Sequence, residues 1–391
     1  MQRRNVIKSA AITVFGASLP FSGVNAQSRF AKYAGKTVVM NIPAHPHYDA
    51  MQKLLPDFTK ETGIKVEVDK VAIGRLKEKQ LLEMAKASGD FDLGCYIVMW
   101  KGEYVSKNLI HQLEPFFANA ALADPSYDMK DIVPIYLENL GMVGGPKGYL
   151  AGPGAKLYGL PYGAETSVLA YRRDVFEEHK LKVPETYDEF RKLLPVIKDR
   201  TGLGALTSRG QAGHQAVHAW LLHLNPLGGS VFDDQWRPRF NDKIGVDALK
   251  FLQEVVATGP AGIAGYGQGE ANTAFLQGKA AMYLDSTSIA SVIADPARSQ
   301  VVGKVSWALH PRGVRRASQS GGLGLAIPRN SKNPEAGFLL MQWLTSKAQY
   351  KAVTMQGGAP MRNSTLRDAD VVRRYPAVSY THLTLPTKRI V

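Results

Sequence analysis

Short apolar runs and amphipathic stretches alternate along most of this chain. Lys36 to Ile42 (KTVVMNI) is β-branched and apolar, the pattern of a buried strand. Met51, Leu54, Leu55 and Phe58 then fall at i, i+3, i+4 and i+7, one face of a helix. Pro56 inside that stretch predicts a kink or a late helix start. Gly63 stops the helix, and Ile64 to Val68 (IKVEV) alternates as a strand does. A helix with Leu76, Leu81, Leu82 and Met84 leads to Gly89-Asp90 and a strand from Asp92 to Val98. This β-α-β-α-β order predicts a layered α/β fold with helices on the sheet faces. From Val183 to about Gly278 the pattern is mostly helical. One helix opens at Pro184-Glu185-Thr186 and carries Phe190, Leu193, Leu194 and Ile197. Another carries Val246, Leu249, Leu252 and Val256 and ends at Gly259-Pro260. Ala280 to Leu284, Gly303 to Leu309 and Gly322 to Pro328 are strand-like. The chain thus leaves one α/β lobe, builds a helix-rich lobe and comes back.

The two ends break this pattern. Residues 1–28 have a basic start (Arg3, Arg4, Lys8), an apolar stretch from Ala10 to Phe21 and the small-x-small run Val24-Asn25-Ala26. That is the order of a secretory signal peptide, too short in its apolar part to span a bilayer. The adjacent arginines also fit a twin-arginine export signal, and a general secretory signal fits nearly as well. At the other end SYTHLTLPTKRIV, from Ser379, continues no element and has the look of translated vector or adapter sequence. The natural C-terminus is then expected to be missing.

The 391 residues suffice for two or three lobes. A formal charge of +14 raises the question of nucleic acid, but the basic residues are scattered, with no aromatic-interleaved basic run, so no nucleic-acid partner is expected. Cys95 is the single cysteine, which rules out an internal disulfide and leaves no lipid-attachment cysteine after the cleavage site.

Four segments carry a family resemblance: FTKETGIKVEV (Phe58 to Val68), LYGLPYGAETSVLAYRRDVFEEHKLKVPETYDEF (Leu157 to Phe190), AFLQGKAAMYLDSTSIASVIADP (Ala274 to Pro296) and GGLGLAIPRNSKNPEAGFLLMQWLTS (Gly321 to Ser346). In this order and spacing the chain, from about Thr37 to Asp368, resembles the extracellular solute-binding proteins of carbohydrate ABC importers, the maltose-binding type. Asp-x-Thr at 285–287 is closest in look to the sugar and polyol branch. The resemblance implies a two-lobed type II periplasmic binding protein fold, α/β in class, with a hinge and an inter-lobe cleft. Carried over by position, the organisation is a signal peptide at 1–26, N-terminal lobe at 27–166 and 286–333, C-terminal lobe at 167–285 and 334–378, and a non-native tail at 379–391. The lobe crossings fall near Thr166 to Val168, Asp285 to Thr287 and Asn333 to Glu335. A monomeric periplasmic carrier is implied, with a sugar, oligosaccharide or sugar alcohol as ligand and ABC permease subunits as partner. No cofactor is implied.

Sugars offer hydroxyls and weakly apolar ring faces, so a site needs planar polar groups and aromatic platforms. By the resemblance Tyr96, Met99 and Trp100 form a ligand loop, although Tyr96 and Met99 suit a core equally well. Glu165 and Thr166 lie at the first crossing, as ligand contacts or with Glu165 in a structural salt bridge. Asp285 and Thr287 lie at the second, where helix capping is the competing role. Gly322 allows close backbone approach, while Leu323 stands where many relatives have Trp. His45 and His47 follow the first strand, with no third ligand for a metal. Trp220 either stacks on a sugar or sits in the core. The rival function is a carbohydrate-processing hydrolase or lyase using Glu165 and Asp285, since paired carboxylates hydrolyse glycosides. No Gly-x-Ser-x-Gly, zinc helix or phosphate loop accompanies them. A binder of iron or polyamine would need anionic clusters or tyrosine pairs, whereas the candidates are mixed and aromatic.

Overall fold

A computed structural model describes residues 26–145, 151–233 and 235–375. The expected signal peptide (save Ala26) and the expected foreign tail lie outside the described residues.

Three parallel strands begin the fold: β1 (Thr37–Pro43), β2 (Lys65–Val71) and β3 (Leu93–Ile97), with β1 in the middle. Val38, Met40 and Ile42 of β1 are fully buried because helices cover the sheet, as parallel sheets require. The first predicted helix is two helices, Pro46–Gln52 and Leu55–Thr62. Pro56 sits in the first turn of the second, where its missing N–H has no partner to lose. Gly63 closes that helix in the left-handed conformation, φ 72°. In the helix Ile73–Met84 the buried positions are Leu76, Gln80 and Met84, and Leu82 is 68% exposed. Gln80 takes a core position because its amide donates to Asn41 Oδ1 and Cys95 O and accepts from the Tyr104 hydroxyl.

A small pair, β4 (Met142–Val143) and β5 (Lys156–Leu157), precedes the long strand β6 (Leu160–Arg172). The remaining strands are β7 (Gly204–Thr207), which periodicity did not signal, β8 (Ala280–Ser286), β9 (Val305–Ala308) and β10 (Ser320–Ala326). The main sheet runs β2-β1-β3-β10-β6-β8-β7, with β9 also paired to β6. β6 belongs to both halves. Its residues 160–166 pair with β10, and residues 167–172 pair with β8 and β9.

Two hydrophobic cores flank that strand. The first joins β1, β3, β10 and the start of β6 to Phe338, Leu340, Trp343, Tyr350 and Met361. The second gathers Leu169, Phe190, Leu194, Leu206, Phe251 and Met282, with Phe275, Tyr283, Ile289 and Val292 in a cluster beside it. This corrects two expected boundaries. Residues 334–375 pack into the first core rather than the C-terminal lobe. The helix Pro334–Leu344 is tied there from its cap, where Asn333 N donates to Asp92 Oδ1. Much of 286–333 stays with the second half, since Ile289 and Val292 pack on Tyr283 and β9 pairs with residues 169–172. The return to the first half is β10, not Asn333 to Glu335. Among the described residues no helix is long and apolar enough to cross a membrane.

Candidate functional site

The chain changes core within a few residues of β6. Glu165 still faces Gly321 of β10, while Ser167 already faces Ser286 of β8. Gly322, at φ 99°, makes the approach possible, because a Cβ there would lie 2.5 Å from Gly163 O and 2.8 Å from Ala164 Cα. Around this junction lies a recess of about 250 Å³ lined by Glu165, Thr166, His218, Asp285, Gln319 and Gly322, among others.

Asp285 is the most tightly held group in it. Arg209 binds the carboxylate in a bidentate fork, Nε to Oδ2 at 2.7 Å and Nη2 to Oδ1 at 2.6 Å. His218 Nε2 donates to Oδ1 at 3.2 Å, and Ser286 N donates to the same oxygen at 2.7 Å. Burial would push this acid up, but the Arg209 charge and the His218 contact outweigh it and hold the carboxyl far below its usual range. Beyond His218 stands Gln319, its Nε2 at 3.4 Å from His218 Nδ1, while its Oε1 is buried without a partner among the described residues. Neither Arg209 nor Gln319 was singled out in the sequence. The available signal was an arginine in an otherwise apolar and small-residue stretch (GALTSRG), which requires a buried carboxylate partner.

Glu165 is held from the first core. His45 caps the helix Pro46–Gln52, its Nδ1 accepting from His47 N, so its proton lies on Nε2 and is donated to Glu165 Oε1 at 3.2 Å. Burial would raise the Glu165 pKa, but His45, Ser286 and Arg209 together lower it. Both junction carboxylates are therefore kept ionised.

A second recess, of about 510 Å³, adjoins the first. His45, His47 and residues 357–360 line it from the first core, and Thr287, Ser288 and Ser291 from the second. Thr287 Oγ1 also accepts from Thr166 N at 3.4 Å.

Glu165, Thr166, Asp285, Gly322, His45 and Thr287 thus meet at one junction, and the other candidates do not. Tyr96 is a core residue, its hydroxyl donating to Leu140 O and its ring packed with Tyr104 and Ile110. Trp220, half-buried, packs against the second core with Nε1 donating to Gly245 O at 3.0 Å, and it lines neither recess. Met99 is 59% exposed, and Trp100 leans on Tyr104 at 6.4 Å between ring centres; neither lines either recess. Among the described residues no group of three or more His, Cys, Asp or Glu is placed to hold a metal.

Comparison with known proteins gives this junction its context. Over 389 residues, 95% of the chain and 85% of the relative, it is 25% identical to a probable amino-acid ABC transporter periplasmic-binding protein of Sinorhizobium fredii. It is 28% identical to an erythritol/L-threitol-binding protein of Mycolicibacterium smegmatis, over 85% of the chain and 72% of that protein. An ABC transporter solute-binding protein of Agrobacterium radiobacter K84, solved in complex with ribitol, superposes with a TM-score of 0.81 at 28% identity, covering 90% of this chain and 87% of the other. This chain has the two-lobed type II periplasmic binding-protein fold. The model of the bacterial extracellular solute-binding proteins matches residues 44–351, and the chain belongs to that family.

Proposed function

We infer that this protein captures a small uncharged polyhydroxyl compound, a sugar alcohol or a sugar, at the junction of its two cores and delivers it to the permease of an ABC importer. One observation carries the ligand class. Among the described residues that line the charged recess there is no Lys or Arg, and Arg209 behind it is engaged by Asp285. The recess therefore offers ionised carboxylate and amide acceptors, which suit ligand hydroxyls, and no cation to balance an anion. The family and the polyol named for two of the relatives support the same reading. The Sinorhizobium relative, a probable amino-acid ABC transporter protein, favours a second reading, but an amino acid's carboxylate would meet the Glu165 carboxylate with no Lys or Arg among the described residues lining the recess. A thermal-shift and titration-calorimetry panel decides between them. Erythritol, ribitol and mannitol are expected to raise the melting temperature, and stabilisation by amino acids alone would overturn the assignment.

The same reading places the protein in the periplasm after removal of residues 1–26. N-terminal sequencing of exported protein should then begin at Gln27, and a start at Met1 would contradict it.

A further inference from the structure

The hydrogen bonds around the charged recess fix the protonation of both neighbouring histidines, and with it the charge of the recess. His218 Nε2 donates to Asp285 Oδ1 while its Nδ1 accepts from Gln319 Nε2, so the ring carries one proton and is neutral. His45, behind Glu165, is neutral for the same reason: Nδ1 accepts from His47 N and Nε2 donates to Glu165 Oε1. Arg209 is spent on Asp285 through Nε and Nη2, and its Nη1 turns away to Gln215 Oε1 at 3.3 Å. Its positive charge cancels that of Asp285. Glu165, also ionised, has no Lys or Arg paired to it among the described residues. One negative charge is left over.

The same bonds orient the amide in the wall. Gln319 Nε2 is committed to His218, so Oε1 is the end that remains, a buried acceptor without a partner among the described residues. The recess therefore combines an unbalanced carboxylate with an acceptor that still needs a donor. A neutral polyol answers both with hydroxyl protons, yet it displaces water from Glu165 without bringing a counter-charge, and an ionised carboxylate removed from water is costly when it is not balanced. An ammonium group in place of one hydroxyl supplies the charge and three N–H donors together.

We propose that the charged recess takes amino-polyols, in which a protonated amine replaces one hydroxyl of an alditol or sugar, and holds them more tightly than uncharged polyols. It ranks ligands of one skeleton by charge, with the monocation first, the neutral polyol second and the carboxylate last. The proposal rests on the polyhydroxyl reading above and goes beyond it in the charge of the ligand.

Titration calorimetry on the full chain would compare ribitol with 1-amino-1-deoxyribitol and ribonate, which differ only at C1, and mannitol with its matching amine and acid. The amine is expected to bind at least about tenfold tighter than its alditol, a gap of about 1.4 kcal/mol, and the acid at least about tenfold more weakly. Two variants locate the cause. In Glu165→Gln the amine and the alditol should come within about threefold of each other, whatever the change in either affinity. Gln319→Lys, which puts a cation into the same recess, should also remove the advantage of the amine and narrow the gap to the acid. Thermal unfolding confirms that each variant folds, and if one does not, the other carries the comparison. An amine that binds no tighter than its alditol, or an advantage that survives in a folded variant, overturns the amino-polyol ligand and leaves the polyol reading standing. Failure of every compound in both series to bind overturns both.

Discussion

Asp285 shows how far a single side chain can be read from sequence. Its place at the second lobe crossing, which the family resemblance implies, marks it as a candidate, yet the fork from Arg209 is invisible because the two lie 76 residues apart. The pair implies a stability prediction. Arg209→Met leaves the buried Asp285 carboxylate with only its His218 and Ser286 contacts and is expected to cost about 3–5 kcal/mol in urea unfolding, much of it regained in the double variant with Asp285→Leu. Because the folded pKa lies below the ordinary 3.8, the pair's contribution is complete above that value and is lost as the pH falls below it. A second acid-sensitive element lies in the second core. The Tyr187 hydroxyl bonds His223 Nδ1 at 3.0 Å and His310 Nε2 at 3.1 Å, and burial pushes both imidazoles down to about 3. Both stay neutral in the fold, while the unfolded chain takes up protons below about 6.5. Stability is thus full above that pH and falls below it, by about 1.4 kcal/mol per pH unit for each ring. Melting curves from pH 7 to 4 should show this slope, and His310→Gln should flatten it.

At the scale of elements, β1, β2, β3, β8, β9 and β10 are legible because short apolar or alternating runs bounded by turn residues mark strands, whereas the long β6, the short β7, helix faces and helix destinations are less so. In the helix Lys243–Thr258 the sequence pointed to Val246 and Leu249, yet these are 42% and 49% exposed and the buried stripe is Ala248, Phe251, Leu252 and Val255. Two apolar rows compete on that helix, and only the partner surface decides between them. Leu249→Lys is accordingly expected to change stability by less than about 0.5 kcal/mol and Phe251→Ala to cost about 3–5 kcal/mol, checked by denaturant unfolding. The destination of Pro334–Leu344 is hidden for a related reason: from Ala336 to Leu344 every residue is buried, so no face identifies which core it serves. At the junction, Glu165, Thr166 and Asp285 are placed by the family resemblance, while Tyr96 and Trp220 stay ambiguous, since an aromatic at a strand end or on a helix suits core and cleft alike. β10 adds a test of close packing. Gly322→Ala should destabilise the fold by about 1 kcal/mol or more, because the added Cβ meets β6 backbone and the backbone angle is left-handed.

For the molecule as a whole, two cores joined through β6 and β10 form a hinge with the recesses on its line of closure. Addition of a bound polyol should lower the radius of gyration in small-angle scattering, and an unchanged radius at saturating ligand would show that no closure accompanies binding. The shared strand bears on one more process, the order in which the chain acquires structure during synthesis. The first core is assembled from both ends of the sequence, from Phe30 to Ala164 and from Leu323 to Tyr375, with the second core inserted between them. β3 has no antiparallel neighbour until β10 leaves the ribosome, and an unpaired strand edge is an invitation to wrong partners. The segment from Leu169 to Ala308 meets no such delay, since β7, β8, β9 and the second half of β6 satisfy one another. The half that is made first is completed last, so pulse-labelled hydrogen exchange during refolding should protect the amides of β7 and β8 before those of β3 that pair with β10.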